Sequence, residues 1–265
     1  SLDLSHNEIE EVHADAFTGL RNLEMLFLSY NRLKQVDHVF DGIISSVDAL
    51  HVLKFDHNQI ERVDARVSPR LFADLGTLGF EANNISALRL ATTAAYQAGF
   101  TVILQRNRVA SLSKIQLDGA LHDMLLDLEE NCIEEILRIT DNNMHFSNSL
   151  YFLRLNNVGL KRVESLSLCT YPSLYNVDMR DNQLTLLQNG TFGCLLNLTF
   201  LFLSNNRIER IEPGAFRDLQ TLEMLDLDKN SLESISADYF VGLVSLQQLN
   251  LALNRIAFVQ NGSFA

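Results

Sequence analysis

Asp226, Asp228 and Asn230 alternate along the chain as the first oxygen ligands of a calcium loop do. Such a loop needs glycine at its sixth position and a bidentate glutamate at its twelfth. Ser231 and Ala237 stand there, so this triplet is not a calcium site. The seven histidines are scattered and never adopt the His-Glu-x-x-His spacing that puts two imidazoles on one helix face for zinc. No phosphate loop, Gly-x-Ser-x-Gly turn or Gly-x-Gly-x-x-Gly turn occurs. His57 beside Asp56 reads as a surface pair, because nothing near it in sequence suggests a proton to abstract. The expectation is no catalytic residue, no metal and no cofactor, hence not an enzyme. Four Asn-x-Ser/Thr sequons, at Asn84, Asn189, Asn197 and Asn261, are candidate glycosylation sites.

What positions these residues is a repeat. Leu23, Leu26, Leu28, Asn31 and Leu33 follow Leu-x-x-Leu-x-Leu-x-x-Asn-x-Leu, and so do Leu198, Leu201, Leu203, Asn206 and Ile208. Counting Asn7, Asn31, Asn58, Asn83, Asn107, Asn131, Val158, Asn182, Asn206, Asn230 and Asn254 as anchors, the steps are 24, 27, 25, 24, 24, 27, 24, 24, 24 and 24 residues. In Leu-x-Leu the leucines of a short strand face one side and the x residues the other. One repeat cannot bury its own leucines, whereas stacked repeats form a parallel sheet over one continuous core. The anchor amide both donates and accepts, so a column of asparagines satisfies backbone groups that the turn leaves unpaired. Val158 cannot do so, and its repeat needs another solution.

Five residues past each anchor stands an apolar residue, from Val12 to Val259, without exception. Ten past, Phe17, Phe192, Phe216, Phe240 and Phe264 form a second column, which fails in the middle, where Ser68, Thr93, Leu117 and Asp141 replace it. Segments 87–98 and 133–139 are rich in helix formers, so helical connections are expected there. The fold class is α/β: a right-handed repeat solenoid, or horseshoe, with a parallel concave sheet and mostly irregular convex connections. It reads as a single solenoid of about eleven repeats over residues 1–265. Ser1 opens within a strand motif and Ala265 falls within a repeat, so an internal segment with caps missing at both ends is expected.

The concave face is built from residues four and two before each anchor. Eight of these 22 are acidic and three basic. One patch combines aromatics with arginine, as protein hot spots do: Phe152, Arg154, Asp178, Arg180, Phe200 and Phe202. Its alternative reading is cross-strand pairing of the charges with the rings packed on one another. A second candidate is acidic, Asp127, Glu129 and Glu130, against the alternative of a solvated face. Cys169 and Cys194 lie 11 and 12 residues past adjacent anchors, within disulfide reach, against the alternative of two buried thiols. Cys132 reads as a lone thiol.

The 24-residue period, the Phe and Leu columns and the stretch Asn205-Asn206-Arg207-Ile208-Glu209-Arg210-Ile211-Glu212-Pro213-Gly214-Ala215-Phe216 resemble the "typical" subfamily of animal extracellular leucine-rich repeats. That subfamily includes Toll-like receptor ectodomains, chaoptin-like adhesion proteins and insect leucine-rich-repeat immune proteins. The resemblance covers essentially the whole chain and implies an extracellular, secreted or cell-surface recognition module that binds a protein ligand or partner receptor on its concave face. The alternative is a cell-adhesion or matrix structural protein acting by self-association, and a homo- or hetero-dimer is compatible with both. The formal charge of −12 opposes a nucleic-acid partner. No apolar run reaches the roughly 20 residues of a membrane span, so membrane attachment would require sequence outside this segment.

Overall fold

The structure is a computed structural model that describes residues 1–47, 49–66, 74–137 and 150–264. They pack as two compact units, one built from Ser1–Asn131, the other from Tyr151 onward with the segment that begins at Cys132. In the first, strands Leu2–Asp3, Met25–Phe27, Val52–Lys54, Thr77–Gly79, Thr101–Ile103 and Met124–Asp127 pair in parallel, each with the next. In the second, Leu150–Arg154, Asn176–Asp178, Phe200–Phe202, Met224–Asp226 and Gln248–Asn250 do the same. Each unit is thus a leucine-rich-repeat solenoid with a parallel sheet on one side; the connections are mostly irregular in the second unit, whereas those of the first carry a helix and a further parallel sheet.

The register is the one the leucine spacing dictates. Val177, Leu201, Leu225 and Leu249 are neighbours across the strands, and the first three are fully buried. Each fully buried leucine contributes roughly 1.5–3 kcal/mol relative to an exposed one. The asparagines form the expected ladder. Asn206 Nδ2 donates to the carbonyls of Met179 (2.9 Å), Leu203 (3.0 Å) and Ser204 (3.4 Å), while its Oδ1 accepts from Leu184 N–H (3.0 Å). At the Val158 break, Asn182 Oδ1 accepts two amides, from Val158 (3.2 Å) and Leu160 (2.9 Å).

Just before every anchor the chain takes a left-handed residue. His6, Tyr30, His57, Ala82, Arg106, Glu130, Asn157, Asp181, Asn205, Lys229 and Leu253 have φ between 50° and 58°. None is glycine, so each carries the steric cost of Cβ in that region. The cost is tolerated because the ladder on either side fixes the backbone.

The connections correct one expectation. Ala87–Ala98 is a 12-residue strand, not a helix, paired in parallel with Arg62–Arg66 and Ile115–His122. Leu88 and Leu90 are buried and Arg89 between them is exposed, the period-two pattern of a half-buried strand. Glu135–Ile136 is likewise a short strand, paired with Arg162–Val163. A helix forms instead at Asp37–Ser46, within a 27-residue step, with Val39, Phe40, Ile43 and the adjoining Val47 buried. The first unit carries its own buried phenylalanines, Phe40, Phe55, Phe80 and Phe100, with Phe55 and Phe80 at the second leucine position of their strands. Phe55 stacks on Phe80 at 5.3 Å. Ser68, Asp141 and the end of the 133–139 segment lie outside the described residues.

Candidate functional site

The strands of the second unit place the aromatic and charged residues in rows. Cross-strand pairing sets Phe152 beside Asn176 and Asn176 beside Phe200, and in the next row Arg154 beside Asp178 and Asp178 beside Phe202. Arg180 follows Asp178 on the same face. The six sequence-selected residues therefore share one surface, with Asn176 set between the two phenylalanines of the first row.

Asp178 organises the patch. Its side chain is only 2% exposed, and it takes Arg180 in a bidentate fork, Nε to Oδ1 at 2.9 Å and Nη2 to Oδ2 at 2.6 Å. The Arg180 backbone N–H also donates to Oδ1 (3.1 Å). This hydrogen bonding raises the Arg180 guanidinium above its ordinary pKa. The fork holds the guanidinium 5.3 Å from the Phe202 ring centre, and Arg154 lies 5.3 Å from that of Phe152. Each cation over a ring at this exposure contributes about 0.5–1 kcal/mol. Phe152, Phe200 and Phe202 remain half-buried, so part of each ring is available.

Sequence reasoning missed three members. Tyr151 and Tyr175 stack at 4.6 Å along one margin, and Tyr175 meets Phe200 edge-on at 5.4 Å. Met224 continues the row beyond Phe200. Met224 sits six residues before its anchor, in the row that already held Phe152 and Phe200, and Tyr151 and Tyr175 sit seven before theirs; the same period would have shown them.

The acidic candidate is more internally satisfied. Asp127 is 3% exposed and accepts from Gln105 Nε2 (2.7 Å) and Glu129 N–H (3.1 Å). Glu129 shares the Gln105 amide (3.3 Å). Glu130 lies in the turn and pairs with Arg106 at 3.0 Å. Among the described residues no group of three or more His, Cys, Asp or Glu is arranged to hold a metal.

Cys169 and Cys194 are joined by a disulfide, with Cα atoms 5.2 Å apart, and Cys132 is an exposed free thiol. Asn189, Asn197 and Asn261 are exposed and Asn84 is half-buried, and none lies on a sheet strand. No helix among the described residues is long and apolar enough to cross a membrane.

Comparison with known proteins agrees with this architecture. The leucine rich repeat family model matches residues 1–46, 172–232 and 197–256. Mouse podocan is 27% identical over 212 residues, covering 77% of this chain and 32% of podocan. Rabbit fibromodulin is 40% identical over 74 residues, covering 27% of this chain and 46% of fibromodulin. The chain thus spans less than half the length of either relative. Among solved structures, the LRIM1 leucine-rich repeat domain superposes with a TM-score of 0.61 at 22% identity, over 90% of this chain and 69% of that one. Toll in the Drosophila Toll–Spatzle complex gives 0.57 at 19% identity, over 93% and 35%. With the anchors, the asparagine ladder and the parallel sheet all in register, the chain has the leucine-rich-repeat fold, and its matched residues carry the leucine rich repeat family's pattern.

Proposed function

We propose that this chain is an extracellular protein-recognition module, without catalytic activity, that binds a protein ligand on the sheet face of its second unit. The observation that carries the reading is the half-buried cluster of Phe152, Phe200, Phe202 and Met224 beside the Arg180–Asp178 fork. Aromatic and arginine side chains that are locked by their own contacts lose little freedom on binding, which is how a small patch dominates an interface. The disulfide is in keeping with an oxidising, extracellular compartment. Glycans on the exposed Asn189, Asn197 and Asn261 would leave this face open. Structures of similar fold include the Toll–Spatzle and LRIM1/APL1C complexes, which supports a protein partner. The acidic group at Asp127, Glu129 and Glu130 is assigned the lesser role of favouring basic partners.

The test needs no known ligand. Random peptides displayed on phage are selected on the wild-type chain and screened on the Phe200→Ser/Phe202→Ser variant. Most selected peptides should lose at least about tenfold in affinity for the variant, the loss of one good anchor. The variant should melt close to wild type, since both rings lie on the outer face. Peptides that bind both proteins equally would show that recognition lies elsewhere. Sedimentation of the wild-type chain across a concentration range tests self-association through the same face.

A further inference from the structure

We infer that the flank of the first unit carries a second recognition site, a slot one ring thick between His57 and Arg106 that takes an aromatic side chain from a basic segment of a protein partner. His6, Tyr30, His57, Ala82, Arg106 and Glu130 occupy the same position before successive anchors, all with φ between 52° and 55°. Because the backbone conformation repeats, their side chains leave the turn in the same direction, one repeat apart. The first three make the consequence visible. The His6 and Tyr30 rings stack at 4.2 Å, and Tyr30 and His57 at 4.1 Å, each pair 9° from parallel. Tyr30 is 46% exposed, so this ring ladder lies at the surface.

The ladder then loses a ring. Ala82 offers a methyl group, and the next planar group in the column is the Arg106 guanidinium. Two repeat steps separate His57 from Arg106, about 9–10 Å at the usual strand spacing. A planar ring sandwiched at van der Waals contact needs roughly 7–8 Å. Arg106 is tied on both sides, by Glu81 at 3.3 Å and by Glu130 at 3.0 Å, so one wall of the slot is held in place. Imidazole and guanidinium faces both stack on aromatic rings.

The surroundings choose the occupant. Asp56, Glu81 and Glu130 flank the slot against Arg106 and Lys54, and the whole chain carries −12. A ring that arrives beside lysine or arginine is attracted, whereas a nucleobase brings a phosphate that is repelled. A protein segment with an aromatic residue between basic ones therefore fits best.

The chain contains no tryptophan, so the indole of a Lys-Trp-Lys peptide is the only one in a mixture with it. Its fluorescence should shift and saturate on titration with the wild-type chain. Ala82→Tyr, which fills the slot with the residue the column already holds at Tyr30, should weaken binding about tenfold, and Glu-Trp-Glu should bind the wild type more weakly by a similar factor. His57→Ala removes a wall and should weaken Lys-Trp-Lys as well, giving a second reading should Ala82→Tyr fail to fold. Phe200→Ser/Phe202→Ser should leave this binding intact, which separates the slot from the sheet patch. Equal binding by His57→Ala and wild type, no preference for the basic peptide, or equal binding of a single-stranded oligonucleotide overturns the proposal.

Discussion

At the scale of single residues, the anchor asparagine contributes through groups that are not its own. Asn206→Ala leaves the buried Leu184 N–H without its acceptor and takes one of two donors from each of the Met179 and Leu203 carbonyls, which keep Asn182 and Asn230. A cost of about 1–3 kcal/mol is expected, since a buried unsatisfied group keeps its desolvation penalty. Val158→Asn should have the opposite sign or none, because it offers an amide where the ladder lacks one. Urea unfolding of the two variants measures both, and equal midpoints would mean that the ladder contributes little. The anchors were legible because leucines frame them at fixed spacing. The left-handed residues before them were not, because no glycine marks that column: His6, Tyr30, Arg106 and Leu253 share one backbone state with no common side-chain chemistry. Asn157, Asp181 and Asn205, with His6 and His57, which tolerate that region better than most, hinted at it. Tyr151 and Tyr175 escaped for a different reason. The binding columns were drawn one strand step too narrow.

At the scale of elements, local propensity lost to pairing. The run from Ala87 to Ala98 favours helix residue by residue, yet two neighbouring repeats offer it strands, and tertiary context overrides such small preferences. The Leu88-Arg89-Leu90 alternation carried the correct period. The helix Asp37–Ser46 was equally visible in the spacing of Val39, Phe40, Ile43 and Val47, but a 24-residue template had no room to register it. Cross-linking also acts at this scale. The Cys169–Cys194 bond closes a 25-residue separation between adjacent connections. The Cys169→Ser/Cys194→Ser variant should lose about 3 kcal/mol in denaturant unfolding, as expected for a loop of this length. Thiol titration of the unreduced, unfolded wild type should find one reactive cysteine, Cys132. Three would place the disulfide, and the compartment inferred from it, in error.

At the scale of the molecule, the acidic balance governs encounter more than affinity. With a formal charge of −12, the chain should associate faster with basic ligands than with neutral ones, and added salt should erase the difference as screening shortens its reach. Stopped-flow association of basic and neutral members of the selected peptides across salt concentrations tests this; rates independent of salt would place binding away from the acidic surface. The repeat was readable over the whole chain because it is a property of spacing, whereas the site depended on which rows of the sheet carry rings, a property of register. The ladder has one further consequence, for how such a chain changes over time. Asn206 takes its amide from Leu184, and Asn230 takes the equivalent one from Ile208, each 22 residues back, while the longer steps stretch this to 25 at Asn58 and 23 at Asn83. Duplicating or deleting one whole period therefore recreates every bond with a new partner, whereas a shorter edit must be absorbed in a connection, as the helix Asp37–Ser46 does. Genes encoding this architecture can lengthen or shorten it in units of one repeat and keep a foldable product at each step.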